Sequence, residues 1–256
     1  MSNSTPIVWI ASYPKTGSTW LREIVSNMVD PDSSTRKDTI PSYQKEWPDN
    51  LVARPLAMGE CALVKTHLFP GNPRMARIDV DTRAAITITR HPFDILLSSL
   101  NYARVKGKDE LFIDGVARPV EEIIERGELD HYIDDFAKSD GFPWFAGPSG
   151  EFSTYQQKWR EGMQGKPYLE LVYEDMFADP ETASKQIAEF LFADPSTIDL
   201  GKVLETSDEK TKANGKFFWK RRSYNFVELV PDAQIRHFED VCGYQLEAAG
   251  YAKHLA

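Results

Sequence analysis

Cysteine is nearly missing from this chain: Cys61 and Cys242 are the two among 256 residues. That is too few for a disulfide framework, and their spacing suits no zinc site, so both read as buried thiols. Five histidines, His67, His91, His131, His237 and His254, form no HxxxH or HxxE pattern, and no metal is expected. No apolar run is long enough to cross a bilayer, so no membrane partner is expected. The run nearest the N-terminus is too short for a signal peptide and has no basic stretch before it, which makes a cytoplasmic location the expectation. Positive charge is in deficit. A net charge of −9 repels nucleic acid unless a basic patch overrides it. Internal repeats and low-complexity tracts are also missing. What remains is 41% hydrophobic and 27% charged, the composition of a globular protein. Residues 1–256 are expected to form a single α/β domain that acts on a small molecule.

The organising stretch runs from Ile7 to Val29, IVWIASYPKTGSTWLREIVSNMV. Ile7 to Ala11 is a short run of β-formers, too brief for a helix, and reads as a buried strand of a parallel sheet. Ser18 or Thr19 can cap a helix whose apolar positions Trp20, Leu21, Ile24, Val25 and Met28 recur at spacings of three and four. Ser12 to Gly17 alone separate strand from helix. Such a turn aims backbone N–H groups and the positive end of the helix dipole at one point, and that point suits an anion. Lys15 adds a cation, Gly17 allows close backbone approach, and Ser18 and Thr19 add hydroxyl donors. A phosphate is the expected guest. An ordinary βα turn with a surface lysine explains any one of these features, but not their coincidence. The turn departs from the Walker pattern, because its lysine precedes the glycine.

Two later strands end in chemistry. Ala62 to Val64 closes on Lys65, Thr66 and His67, and in an open parallel sheet the carboxyl ends of strands are where sites form. His67 is the best candidate for a general base, given reach to an acceptor hydroxyl and a suitable pKa. Taken alone, a strand-end histidine is more readily structural. Ala84 to Thr89 ends in Arg90-His91-Pro92, and Pro92 opens a helix with Phe93, Leu96, Leu97 and Leu100 buried. Arg90, Asp94 and Ser98 stand four apart, so Arg90 and Ser98 could grip a second phosphate. An Arg90 to Asp94 ion pair beside an inert Ser98 fits that spacing equally. Farther on, Tyr168 to Val172 reads as a strand, Pro180 to Leu191 as an amphipathic helix, and Pro231 as the start of a final helix. Asp30 to Arg54 reads as a long loop or short helices, and Gly141 to Pro148 as an aromatic loop. The basic cluster from Lys216 to Arg222 fits an anionic ligand or a solvated charged face.

The run Tyr13-Pro14-Lys15-Thr16-Gly17-Ser18-Thr19-Trp20 closely resembles the 5′-phosphosulfate loop of cytosolic-type sulfotransferases, which use 3′-phosphoadenosine 5′-phosphosulfate (PAPS). Lys65-Thr66-His67 resembles that family's catalytic-histidine segment, and the RxPxDxxxS pattern from Arg90 to Ser98 its 3′-phosphate motif. Tyr173-Glu174-Asp175 resembles its adenine-contacting segment. The resemblance implies that Lys15 touches the oxygen bridging phosphate and sulfate, and that Thr16, Gly17, Ser18 and Thr19 bind the 5′-phosphate. It implies Trp20, Tyr173 and Thr206 at adenine, and Arg90 and Ser98 on the 3′-phosphate with Asp94 structural. His67 is then the base, and Lys65 steadies the sulfuryl oxygens. The family's Arg-Lys-Gly turn on the 3′-phosphate is replaced here by Lys220, Arg221 and Arg222. Ser223-Tyr224-Asn225 stand where the family has Gly-Asp-Trp-Lys, and its C-terminal dimer motif is not found, which leaves the oligomeric state open.

The fold expected is a central parallel sheet flanked by helices on both faces, with a P-loop-like phosphate-binding turn after the first strand. The expected activity is sulfuryl transfer from PAPS to a hydroxyl, less readily an amine, of a small-molecule acceptor. The loop after Val29, the segment after Leu68 and Phe142, Trp144 and Phe145 are expected to line the acceptor pocket. Two other readings fit a phosphate-cradling turn: a P-loop-type small-molecule kinase and a non-catalytic nucleotide-binding protein. The kinase is disfavoured, since no Gly-Lys-Ser/Thr follows the loop and the strands do not end in a metal-binding Asp.

Overall fold

The computed structural model describes residues 5–32, 36–77, 80–213, 220 and 222–255. In chain order these form β1 (Ile7–Ser12), α1 (Ser18–Val29), α2 (Arg36–Thr39), β2 (Ser42–Tyr43), β3 (Ala53–Leu56), β4 (Gly59–Thr66), β5 (Thr82–Thr89) and α3 (Pro92–Val105). There follow α4 (Val120–Glu125), α5 (Leu129–Lys138), α6 (Pro143–Ser149), α7 (Phe152–Gly162), β6 (Tyr168–Val172), α8 (Tyr173–Ala178) and α9 (Pro180–Leu191). The chain closes with α10 (Leu200–Ala213), α11 (Asn225–Leu229), α12 (Asp232–Val241) and α13 (Gly243–Ala248). It gathers into two compact units, Met1–Thr89 with Gln157–Ala213, and Arg90–Gln156 with Asn214–Ala256.

The first unit holds the sheet. Its strand order is β2-β4-β1-β5-β6, and β2, β4, β1, β5 and β6 pair in parallel. The chain passes from β1 to β2 and β4 on one side and then crosses to β5 on the other, so β1 lies where the strand order reverses. All six residues of β1 are buried, as the uninterrupted apolar run predicts. Alternation sends Val8 and Ile10 to one face, where with Leu63, Ile86 and Leu171 they meet Leu21, Ile24 and Val25 of α1, Ile187 and Leu191 of α9 and Val203 of α10. Trp9 points to the other face, with ring centroids 6.5 Å from Tyr43, 6.1 Å from Trp47 and 6.4 Å from Trp159. Both buried indole N–H groups have acceptors: Trp9 donates to Thr82 Oγ1 at 3.0 Å and Trp159 to the Leu68 carbonyl at 3.2 Å.

Three local expectations change. The helix cap is Gly17, in the left-handed region at φ 100° with no side-chain cap, so Ser18 lies inside α1 with Thr19 rather than capping it. A left-handed residue turns the chain into the helix directly. The stretch from Asp30 to Arg54 contains α2, β2 and the start of β3. β3 pairs antiparallel with β4, because the two residues between them allow a hairpin and are too few for a crossover. The aromatic loop is helical over Pro143–Ser149. Gly and Pro there suggest loop punctuation, but Pro143 occupies a first-turn position, where its fixed φ favours a helix.

The second unit is helical. Phe93 of α3 stacks on Phe238 of α12 at 4.2 Å and on Phe226 of α11 at 5.2 Å. Trp144 stacks on Tyr102 at 5.5 Å, while Phe142 and Phe145 are buried. His91 caps α3, its Nδ1 accepting from the Phe93 N–H at 3.3 Å, and its ring stacks on Phe226 at 4.5 Å. Burial first, then the nearby His254 and Arg90, push its pKa down to about 3. The ring is therefore neutral when folded but protonates near 6.5 when unfolded, so its share of the stability is lost as pH falls from 6.5 toward 3. Urea denaturation should show His91 alone costing the protein on the order of 2 kcal/mol between pH 7 and pH 5. His91→Asn, which keeps a capping acceptor, should start less stable and show a smaller drop; an equal drop would assign the pH dependence elsewhere.

Candidate active site

The parallel register of β1 and β4 sets Ala11 beside Thr66 and Ile10 beside Lys65. Ser12, the last residue of β1, and His67, one residue past the end of β4, then meet. His67 Nδ1 lies 2.7 Å from the Ser12 carbonyl oxygen and 3.2 Å from Ser12 Oγ. A carbonyl only accepts, so Nδ1 carries the hydrogen and Nε2 keeps its lone pair. Lys65 Nζ donates to that Nε2. Burial, then the Lys65 charge, hold the His67 pKa well below its usual value against the opposing pull of the Ser12 carbonyl. The imidazole is thus neutral, with a free-base nitrogen aimed at Lys65. Lys65 is itself buried, and burial followed by Arg22, Lys15 and Arg36 lowers its pKa well below that of an ordinary lysine. Lys65, Lys15, Arg22 and Arg36 share this neighbourhood with the Glu23 carboxylate, an expensive surplus of positive charge.

The turn after β1 is shaped for close approach. Lys15 adopts a left-handed φ of 72°, uncommon for a side-chain-bearing residue. Thr16 is buried and donates its hydroxyl to the Tyr13 carbonyl at 2.8 Å, which rigidifies the turn. A Cβ on Gly17 would sit 2.4 Å from Tyr173 Cδ2. Ser18 is buried, Thr19 and Trp20 are half-buried, and the Trp20 ring meets Tyr173 edge-on at 6.1 Å. Two of the three residues expected at adenine, Trp20 and Tyr173, are therefore neighbours beside the turn. Tyr173 stands at the first position of α8, directly after β6. Thr206 lies half-buried on α10; its neighbour Ser207 is engaged in accepting from Asn27 Nδ2 at 2.8 Å and donating to the Val203 carbonyl at 2.6 Å.

In the second unit, Arg90 and Asp94 form a buried ion pair at 3.0 Å. Asp94 also accepts from Asn225 Nδ2 at 3.1 Å and the Phe226 N–H at 3.3 Å, and Arg90 Nη2 donates to the Arg222 carbonyl at 3.2 Å. The basic segment before α11 thus reaches Arg90 through backbone. Ser98 is half-buried on α3. Lys220 pairs with Glu121 at 3.1 Å and Arg222 with Glu228 at 2.7 Å. Arg221 and residues 214–219 lie outside the described residues. Among the described residues no group of three or more His, Cys, Asp or Glu is placed to hold a metal ion, and no helix is long and apolar enough to cross a membrane.

Sequence reasoning missed Ser12, Asn225 and Arg22. Ser12 acts through a backbone carbonyl, which no sequence pattern marks. Asn225 replaces the family's downstream residues and acquires its role by reaching Asp94. Arg22 resembles any helix arginine until its burial is seen.

Parallel strands whose order reverses at β1, with a turn feeding a helix N-terminus at its carboxyl end, place the chain among open α/β proteins. The family model described as the sulfotransferase domain matches residues 5–248, and the chain belongs to that family. Among curated relatives, sulfotransferase 1C2 of Oryctolagus cuniculus is 24% identical over 217 residues, and that of Rattus norvegicus 25% over 218, each match covering 80% of this chain. The match spans 65% of each relative's length. Among solved structures, mouse sulfotransferase SULT7A1 complexed with PAP superposes at a TM-score of 0.59 with 18% identity, over 95% of this chain and 85% of that one. Retinol dehydratase in complex with androsterone and inactive cofactor PAP gives 0.52 with 16% identity, over 98% and 83%. At those identities the likeness is one of fold.

Gly17→Ala tests the turn. The left-handed φ and the contact with Tyr173 should together cost at least ~1 kcal/mol in urea denaturation at pH 7. Unchanged stability would mean that the turn is looser than described.

Proposed function

We propose that this chain is a PAPS-dependent sulfotransferase working as one domain over residues 1–256, which moves a sulfuryl group to a hydroxyl of a small-molecule acceptor. The observation that carries the reading is the relay from the Ser12 carbonyl through His67 to Lys65, set beside the Gly17 turn. The donor set fits PAPS. Lys65 and Lys15 lie in a positive field that an anion relieves, and the cradle at Gly17 has no room for a Cβ.

When bound, PAPS supplies an activated sulfuryl group and a bisphosphate leaving group. The Ser12 carbonyl fixes the tautomer of His67, so Nε2 is the atom that takes the acceptor proton. Lys65 must first turn its ammonium from Nε2 to the sulfuryl oxygens, which exposes the base only when an anion is present. Lys15 neutralises the leaving phosphate oxygen, while Thr16, Gly17, Ser18 and Thr19 hold the 5′-phosphate by backbone and hydroxyl donors. Trp20 and Tyr173, with Thr206, receive the adenine. Arg90 and Ser98, with Lys220, Arg221 and Arg222, bind the 3′-phosphate, and Asp94 orients Arg90. This chemistry rests on positioning and charge neutralisation more than on covalent catalysis.

Isothermal titration with the product nucleotide, 3′,5′-adenosine bisphosphate, tests the reading; no binding would sink it. His67→Ala should cut turnover about a hundredfold or more and leave bisphosphate affinity nearly unchanged. Arg90→Ala should weaken that affinity by roughly tenfold to a hundredfold. Equal affinity losses in both variants would break this division of roles. The kcat/KM profile should hold level as pH falls through 6.5, because His67 stays neutral there. Lys65→Met, which removes a charge that lowers the His67 pKa, should move the acid limb to higher pH, and an unmoved limb would show that another group sets it.

A further inference from the structure

Asn225 lies outside the motifs assigned to the nucleotide, yet four hydrogen bonds close a ring through it. Asp94 Oδ2 accepts from Arg90 Nη2 at 3.0 Å and from Asn225 Nδ2 at 3.1 Å. The Arg222 carbonyl accepts from the same two nitrogens, at 3.2 Å and 2.9 Å. Each nitrogen carries two hydrogens and uses both here, so two donors and two acceptors alternate around a closed circuit. Both partners of Nδ2 can only accept, which fixes the orientation of the amide. Arg90, Asp94 and Asn225 are all buried.

Stability alone does not account for this arrangement. Asn225 Oδ1 is buried and has no hydrogen-bond partner among the described residues, which works against folding. Tyr224, just before it, holds a left-handed φ of 52° at the start of α11, a conformation uncommon for a bulky residue. Strain and an unmet acceptor thus fall on adjoining residues, and the ring is what they serve. It ties the basic segment that ends at Arg222 to Arg90, the residue that leads into α3. Without the Asn225 amide, Arg90 Nη2 alone would bridge Asp94 to the Arg222 carbonyl. A single bridge acts as a hinge, whereas two bridges fix distance and angle together.

We propose that Asn225 is a positioning residue for the nucleotide's 3′-phosphate: by closing the ring it holds Arg90 and the backbone at Arg222 in one fixed relation, and so sets the preference for a nucleotide that carries this phosphate. Asn225 does not itself bind the phosphate, since both its N–H groups are engaged within the ring and Oδ1 only accepts. An aspartate of the same shape would turn the two donors into acceptors facing a carboxylate and a carbonyl, which breaks the circuit by repulsion. The proposal deepens the sulfotransferase reading and rests on it.

The test compares two nucleotides that differ in this phosphate alone. 3′,5′-Adenosine bisphosphate and adenosine 5′-monophosphate are each titrated calorimetrically into the full-length protein and its variants. The unsubstituted protein should prefer the bisphosphate by about tenfold or more. Asn225→Ala should remove most of that preference by weakening the bisphosphate alone, and in turnover KM for PAPS should rise while kcat holds. Asn225→Asp should remove the preference altogether at pH 7. If that variant does not fold, Asn225→Ala still decides, because Asp94 keeps Arg90 and the Phe226 N–H as donors. A purely structural Asn225 would weaken both nucleotides equally in the alanine variant, and that result, or an unchanged preference, would overturn the proposal. Equal binding of the two nucleotides by the unsubstituted protein would overturn it as well. Failure of either nucleotide to bind at all is a separate result, which overturns the sulfotransferase reading and this proposal with it.

Discussion

The hydrogen bond from His67 to the Ser12 carbonyl is the contact on which the site depends, and parallel strand pairing produces it. β1 and β4 are distant in sequence, yet their register brings two chain exits together at the same edge of the sheet. A backbone carbonyl is a fixed acceptor that cannot rotate away or change protonation state. It therefore dictates which imidazole nitrogen carries the proton, and the other nitrogen becomes the one available for chemistry. The same pairing places Lys65 within reach of that second nitrogen. One register fixes base, tautomer and cation together.

Around this contact the fold gathers charge that it would not keep for stability's sake. Burial of Lys65 beside Lys15, Arg22 and Arg36 works against folding, as the depressed Lys65 pKa reflects. Like-charged side chains held out of water pay for themselves only through something they bind. The apolar layer beneath, where Val8, Ile10, Leu21 and Ile24 are fully buried, is rigid enough to hold them. Packing on one face of β1 thus offsets the electrostatic cost collected at its end.

In the second unit, Asp94 plays the part of an organiser. It is fully enclosed, and it takes hydrogen bonds from Arg90, Asn225 and the Phe226 backbone. A buried carboxylate with three donors is well compensated, whereas losing any one would leave charge uncovered. The sequence spacing allowed either an ion pair or two phosphate ligands. The structure contains the ion pair, and Arg90 is held by Asp94 of the helix it leads into and by the Arg222 carbonyl.

Much of the sheet was legible in the chain because buried parallel strands are continuous apolar runs, so Ile7 to Ala11, Ala62 to Val64 and Ala84 to Thr89 announced themselves. The βα turn was legible for a similar reason: Lys15, Gly17 and the hydroxyls that follow are local, and local chemistry needs no tertiary context. Where Gly and Pro carry two meanings, sequence alone misjudged, as at Pro143, which starts a helix rather than a loop. The hairpin of β3 with β4 was hidden because a four-residue edge strand has too little periodicity to see. The tautomer of His67, the burial of Arg22 and the grip of Asn225 on Asp94 were decided by tertiary structure alone. Each depends on an atom contributed by a distant segment, and a linear pattern records the identity of a side chain but not which carbonyl or carboxylate will face it.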